Sequence, residues 1–102
     1  MNKYDRLIKE LEDKGTGKMK VFGNSMTPIL KSGSLLTFQR CDEYDVDDVC
    51  LSRVRGKYID AHKITKKDAE GRYLISNNKG WDNGWTKRVF GKVIEVNGKK
   101  FR

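Results

Sequence analysis

The chain carries one proline, one histidine and two cysteines among 102 residues. Each scarcity excludes something. No apolar run approaches the roughly 20 residues of a membrane helix. The N-terminus, Met1-Asn2-Lys3-Tyr4-Asp5-Arg6, leads into a charged segment rather than an apolar signal core. A cytoplasmic location with no membrane contact is the expectation. Cys41 and Cys50 are nine positions apart, unlike a short CxxC pair, and one histidine does not complete a Cys/His zinc set. Two reduced thiols are therefore expected, with no metal and no cofactor. Apolar residues are also scarce: 36% hydrophobic against 35% charged allows only a small core.

What is present is aromatic and basic. Four Phe, four Tyr and two Trp supply large apolar area from few positions. A chain of this length makes one domain and buries roughly 60–70% of its unfolded surface. The 22 Lys+Arg outnumber 14 Asp+Glu, giving a net charge of +8 that suits anionic partners, nucleic acid or an acidic protein. The cations are scattered in pairs, Lys66-Lys67, Lys87-Arg88 and Lys99-Lys100, with no stripe along one helix. That pattern fits a solvated surface as well as a binding face.

There is no internal repeat. Tyr4, Leu7, Ile8 and Leu11 recur at helical spacing in residues 3–14, and Gly15 and Gly17 stop the helix. Residues 1–17 are read as this helix and its Gly turn, and 18–102 as a β domain joined to it in one unit. Strands are expected at 18–22, 34–39, 49–54, 57–64, 72–76 and 89–96. Arg55-Gly56 and Asn97-Gly98 supply hairpin turns, the second folding Lys99–Arg102 back. Thr27-Pro28 reads as an N-cap followed by proline at the first helical position, so 27–31 is expected to form one helical turn. The order, one helix and then six or seven short strands, is mostly β: a folded-over antiparallel sheet or partly open barrel. Leu35, Phe38, Val49, Leu51, Ile64, Leu74, Val89 and Val93 are expected in a single core.

Between the first two strands lies Val21-Phe22-Gly23-Asn24-Ser25-Met26-Thr27-Pro28-Ile29-Leu30. Gly23 permits a tight bend that leaves Ser25 exposed ahead of a turn, where free backbone N–H groups can converge on an oxyanion. The same placement suits a helix-capping serine. The string G-N-S-M-T-P-I-L, followed by Lys31-Ser32-Gly33, resembles the G-x-S-M-x-P-x-(I/L)-x-x-G signature of LexA-type repressors and type I signal peptidases. Asp47-Asp48-Val49 is similar to their G-D-(I/V) strand start, with Asp47 where glycine is usual. Tyr58–Ile64 resembles the strand that delivers the general base. Arg72–Thr86 and Val89–Val93 resemble the closing loop and its G-K-V strand. The likeness spans about residues 18–96.

The resemblance implies a LexA/signal-peptidase-like fold and a serine peptidase-like domain acting on an extended peptide. It makes Ser25 the nucleophile and assigns the flanking Asn24, Met26 and Pro28 to substrate contact. A serine needs a neighbour to take its proton, and His62 and Lys63 are adjacent candidates. Neighbouring strand residues face opposite sides, so only one can meet Ser25. His62 titrates at about pH 6.5 without help, whereas Lys63 needs burial to lower its pKa; His62 is preferred. Where signal peptidases carry an Asp in a G-D-N-N-like context, this chain reads Ser76-Asn77-Asn78, and Asp82 is the carboxylate at hand to orient the base. Trp81 and Trp85 are expected to pin that loop to the core, with a stacking platform as the other use. The DNA-binding domain and scissile linker of LexA relatives and the anchor of signal peptidases are not recognised here. A bare domain of this kind, as a phage or mobile element would encode, also fits a non-catalytic module engaging nucleic acid or an acidic protein.

Overall fold

The structure, a computed structural model, describes residues 2–101. Helix α1 spans Lys3–Lys14. Asn2 caps it by accepting the Asp5 N–H at 2.8 Å. Gly15, at φ 78°, ends it by donating back to the Leu11 carbonyl at 2.9 Å, a left-handed stop that suits glycine. Leu7 and Leu11, one turn apart, are the buried residues of its inner face.

Beyond the helix the described residues form eight strands: β1 Thr16–Val21, β2 Ser34–Gln39, β3 Val49–Val54, β4 Lys57–Lys67, β5 Tyr73–Ser76, β6 Asp82–Thr86, β7 Val89–Val96 and β8 Lys99–Lys100. They pair antiparallel in the order β1-β2-β7-β3-β4-β5-β6, with β8 on β7. The sheet curls into a half-barrel, so the mostly β, one-helix expectation holds. Both short hairpins use left-handed residues, Arg55 with Gly56 and Asn97 with Gly98. Asp47, standing where the G-D-(I/V) pattern has glycine, adopts φ 77°. The pattern's glycine is thus a conformational requirement, and Asp is among the few residues that tolerate it.

Three expectations are corrected. Residues 27–31 form no helix. The Thr27–Pro28 peptide is cis, and the Thr27 hydroxyl donates back to the Asn24 carbonyl at 2.9 Å rather than capping a helical turn. Residues 82–86, read as loop, form edge strand β6. The core is not single. One cluster joins Leu7, Leu11, Met19, Phe38, Val49, Leu51 and Val93; the other joins Tyr44, Cys50, Val54, Ile64, Tyr73 and Ile75. Val49 and Leu51 alternate with Cys50 along β3, so the clusters occupy its two faces. Helix α1 with β1 and β2 covers one face, and Tyr44, docked edge-on to Tyr73, covers the other. Leu35 is only partly buried. Cys41 and Cys50 are free thiols.

Candidate active site

The excursion between β1 and β2 is closed at its base by Gly33 N–H donating to Val21 O at 2.7 Å. Gly23, at φ 104°, makes the bend, and its N–H donates to the Ser32 hydroxyl at 3.1 Å. Met26 and Leu30 drive their side chains into the core at 4% and 3% exposure, which anchors the loop on one side of Ser25. A second loop staples the other: Asn78 N–H donates to Ser25 O at 2.9 Å, and Asn78 Nδ2 donates to Thr27 O at 3.1 Å. Ser25 is left half-buried between these anchors.

Strand β4 brings His62 to the same place. Ser25, His62, Asp60 and Lys31 line a cavity of about 20 Å³ whose apolar wall includes Met26 and Leu30. That is room for about one water. His62 Nδ1 lies 3.0 Å from the main-chain carbonyl of Asp60. A carbonyl only accepts, so Nδ1 carries the hydrogen and neutral imidazole keeps its lone pair on Nε2. Burial pushes the His62 pKa below the ordinary 6.5, and Asp60 opposes that shift. The imidazole is thereby held neutral, the form a base requires.

Two of the other sequence-derived candidates, Lys63 and Asp82, fall elsewhere. Lys63 pairs with Val49 and Ser76, faces the opposite side of β4 from His62 and is not among the residues that line the cavity. Asp82 accepts the Ser76 hydroxyl at 2.6 Å, and that hydroxyl meets Thr65 Oγ1 at 2.9 Å. Its carboxylate thus braces the β5–β6 hairpin, while the partner found at His62 Nδ1 is Asp60. Asn24 and Pro28 are exposed beside Ser25, whereas the Met26 side chain is buried in the core. Trp81 and Trp85 do not pin their loop to the core, being 74% and 41% exposed. Trp85 instead takes the Arg72 guanidinium over its ring. A wider cavity of about 860 Å³ between α1, residues 40–44 and the start of β7 is lined by neither Ser25 nor His62.

Sequence reasoning passed over Asp60. The one available signal was its position two residues before His62 on an expected strand. No helix among the described residues is long and apolar enough to cross a membrane. No curated protein matches the chain. A family description does match, Peptidase S24-like, over residues 2–99, nearly the whole length. With the Ser25 loop, strand β4 and the β5–β6 hairpin all inside that match, the chain belongs to the Peptidase S24-like family, within the LexA/signal-peptidase superfamily.

Proposed function

We propose that the chain is a serine endopeptidase-like domain in which Ser25 is the nucleophile and His62 the general base. The observation that carries this reading is the shared cavity: Ser25 and a histidine with a free Nε2 lone pair line the same water-sized space. In the first step the Ser25 oxygen bonds to a peptide carbonyl carbon as its proton passes to His62 Nε2. Backbone N–H groups beside Ser25 receive the oxyanion. Collapse breaks the peptide bond, and His62 returns the proton to the departing amine. Water then enters and bonds to the acyl carbon as its proton passes to His62; the Ser25–acyl bond breaks as His62 returns that proton to the Ser25 oxygen. An extended peptide suits the site, because edge strand β1 runs directly into the Ser25 loop and offers a place for an added strand.

The test is cleavage of a peptide library. Ser25→Ala and His62→Gln should each lower the rate by about 10²–10⁴, and Lys63→Met should leave it unchanged. Cleavage that survives His62→Gln but not Lys63→Met would transfer the base to lysine. Cleavage that survives Ser25→Ala would end the reading.

A further inference from the structure

The mechanism leaves unused a cluster that joins the first turn of α1 to the strand carrying His62. The Tyr4 hydroxyl donates to the Asp60 carboxylate, and Lys3 Nζ lies 3.8 Å from its other oxygen. Tyr58, two residues before Asp60, stacks on Tyr4 with ring centroids 4.8 Å apart. Its hydroxyl donates to Asp5 at 2.9 Å. Asp60 thus meets the helix with its side chain and the base with its backbone carbonyl.

The strand pairing explains how one residue does both. Cys50 pairs with His62 and Ser52 with Ile59, so Leu51 alone stands opposite Asp60 and Ala61. Such a bulge puts an extra residue into one strand, bends it and re-aims side chains. Backbone freed from a regular ladder needs other contacts to fix it, and the helix supplies them. Tyr4 serves as a permanent donor. Its pKa is pushed up to about 12, first by burial and then by its bond to Asp60.

We propose that Asp60 is the positioning residue of the base: Tyr4 and Lys3 clamp its carboxylate, the bulge is fixed, and its carbonyl holds His62 in the Nδ1–H tautomer. The first turn of α1 is therefore part of the active site, and undocking it frees the imidazole to turn. The consequence for turnover rests on the peptidase reading; the state of the ring does not. Other charges near His62 stay constant in the test. Lys31 shares the cavity, and Lys92 adjoins Cys50, the cross-strand partner of His62.

The chain has one histidine, so imidazole resonances report His62 alone. Ring-nitrogen shifts and the proton titration are recorded for the full chain and for Tyr4→Phe, Asp60→Asn and Tyr58→Phe. The last removes the neighbouring helix contact to Asp5 and spares the clamp. Wild type and Tyr58→Phe should show the single Nδ1–H tautomer. Tyr4→Phe and Asp60→Asn should show a mixture, and Asp60→Asn should also lower the titration midpoint because a nearby negative charge is lost. In peptide cleavage both clamp variants should lose about tenfold or more in kcat with KM unchanged. An unchanged tautomer and midpoint in both would overturn the clamp, whether or not peptides are cut. A changed tautomer in a chain that cuts nothing would keep the clamp and remove the peptidase reading. Tyr4→Phe keeps its ring against Tyr58, so it decides the matter even where Asp60→Asn fails to fold.

Discussion

Gly91, the glycine of the Val89–Val93 segment, lies on β7 beneath helix α1. A Cβ at this position would stand 3.1 and 3.3 Å from the two methyls of Leu11 and 3.3 Å from the Gln39 carbonyl. Carbon contacts are optimal at roughly 3.5–4.0 Å. Leu11 is 1% exposed and can yield only by pushing its neighbours; Gln39 is backbone of β2, paired to Lys92. Overpacking of this size costs about 1–3 kcal/mol. Alanine returns about 0.4–1 kcal/mol by restricting the unfolded chain. Gly91→Ala should therefore destabilise by about 1 kcal/mol net, or about 4–8 °C in Tm for a domain of this size. Leu11→Ala alone should cost about 2–5 kcal/mol. In the double variant the new methyl enters the vacated space, so the second substitution should be close to neutral. Urea unfolding of the four proteins closes the cycle with a coupling of about 1 kcal/mol. An identical Gly91→Ala penalty in both backgrounds would refute the idea that Leu11 demands glycine there.

The unfolded His62 takes up its proton at about pH 6.5, and the folded one only at lower pH. Its contribution to stability should be intact above about 6.5 and lost as pH falls toward the folded midpoint. The Tm difference between wild type and His62→Gln should change across that window, and a pH-independent difference would contradict the burial of the ring. Asn78→Ala removes the bond to Thr27 O; it should cost about 1 kcal/mol and lower kcat by loosening the Ser25 loop, whereas unaltered cleavage kinetics would show that the main-chain staple suffices. Gly98→Val places a β-branched residue at φ 80° and should lower stability by about 1 kcal/mol or more, which an unchanged Tm would rule out. The charge of +8 should give nucleic-acid binding that weakens steeply with added salt; no affinity at low salt would leave the cations to solvation.

Elements whose apolar spacing is regular were legible. Helix 3–14 and the strands at 34–39, 49–54 and 89–96 coincide with the observed bounds, because periodicity and turn glycines agree there. Strand β6 was not legible. Asp82-Asn83-Gly84-Trp85-Thr86 carries no alternation of apolar residues, and it forms because β5 offers it an edge. The helical turn at 27–31 failed for a related reason: Thr27 has two uses for its hydroxyl, and only the tertiary placement of Asn24 decides between them. The divided core was half-visible. Val49-Cys50-Leu51-Ser52 is buried at every position, the mark of a strand covered on both faces, but nothing local shows that Tyr44 folds back to provide the second cover.

The site divides along the same line. Ser25 stands out by its loop chemistry and by resemblance. The preference for His62 over Lys63 rests on side-chain chemistry and strand alternation, and alternation applies because β3 and β4 pair regularly at those two residues. Two residues earlier the rule has no purchase. Asp60 lies in a bulge, where two residues face one and period-two counting loses its place. The helix hid its part for a different reason. Leu7 and Leu11 account for its apolar face, so the sequence declares an amphipathic helix and nothing more. Tyr4, one turn before, carries the contact to Asp60, 56 positions away, and Lys3 pairs with the same carboxylate. That contact exists only after α1 has docked on the sheet and the β3–β4 hairpin has folded Asp60 back toward it. Local spacing can specify the helix and the strand separately; the link between them is made by the packing of Leu7 and Leu11, which sets where the first turn lands.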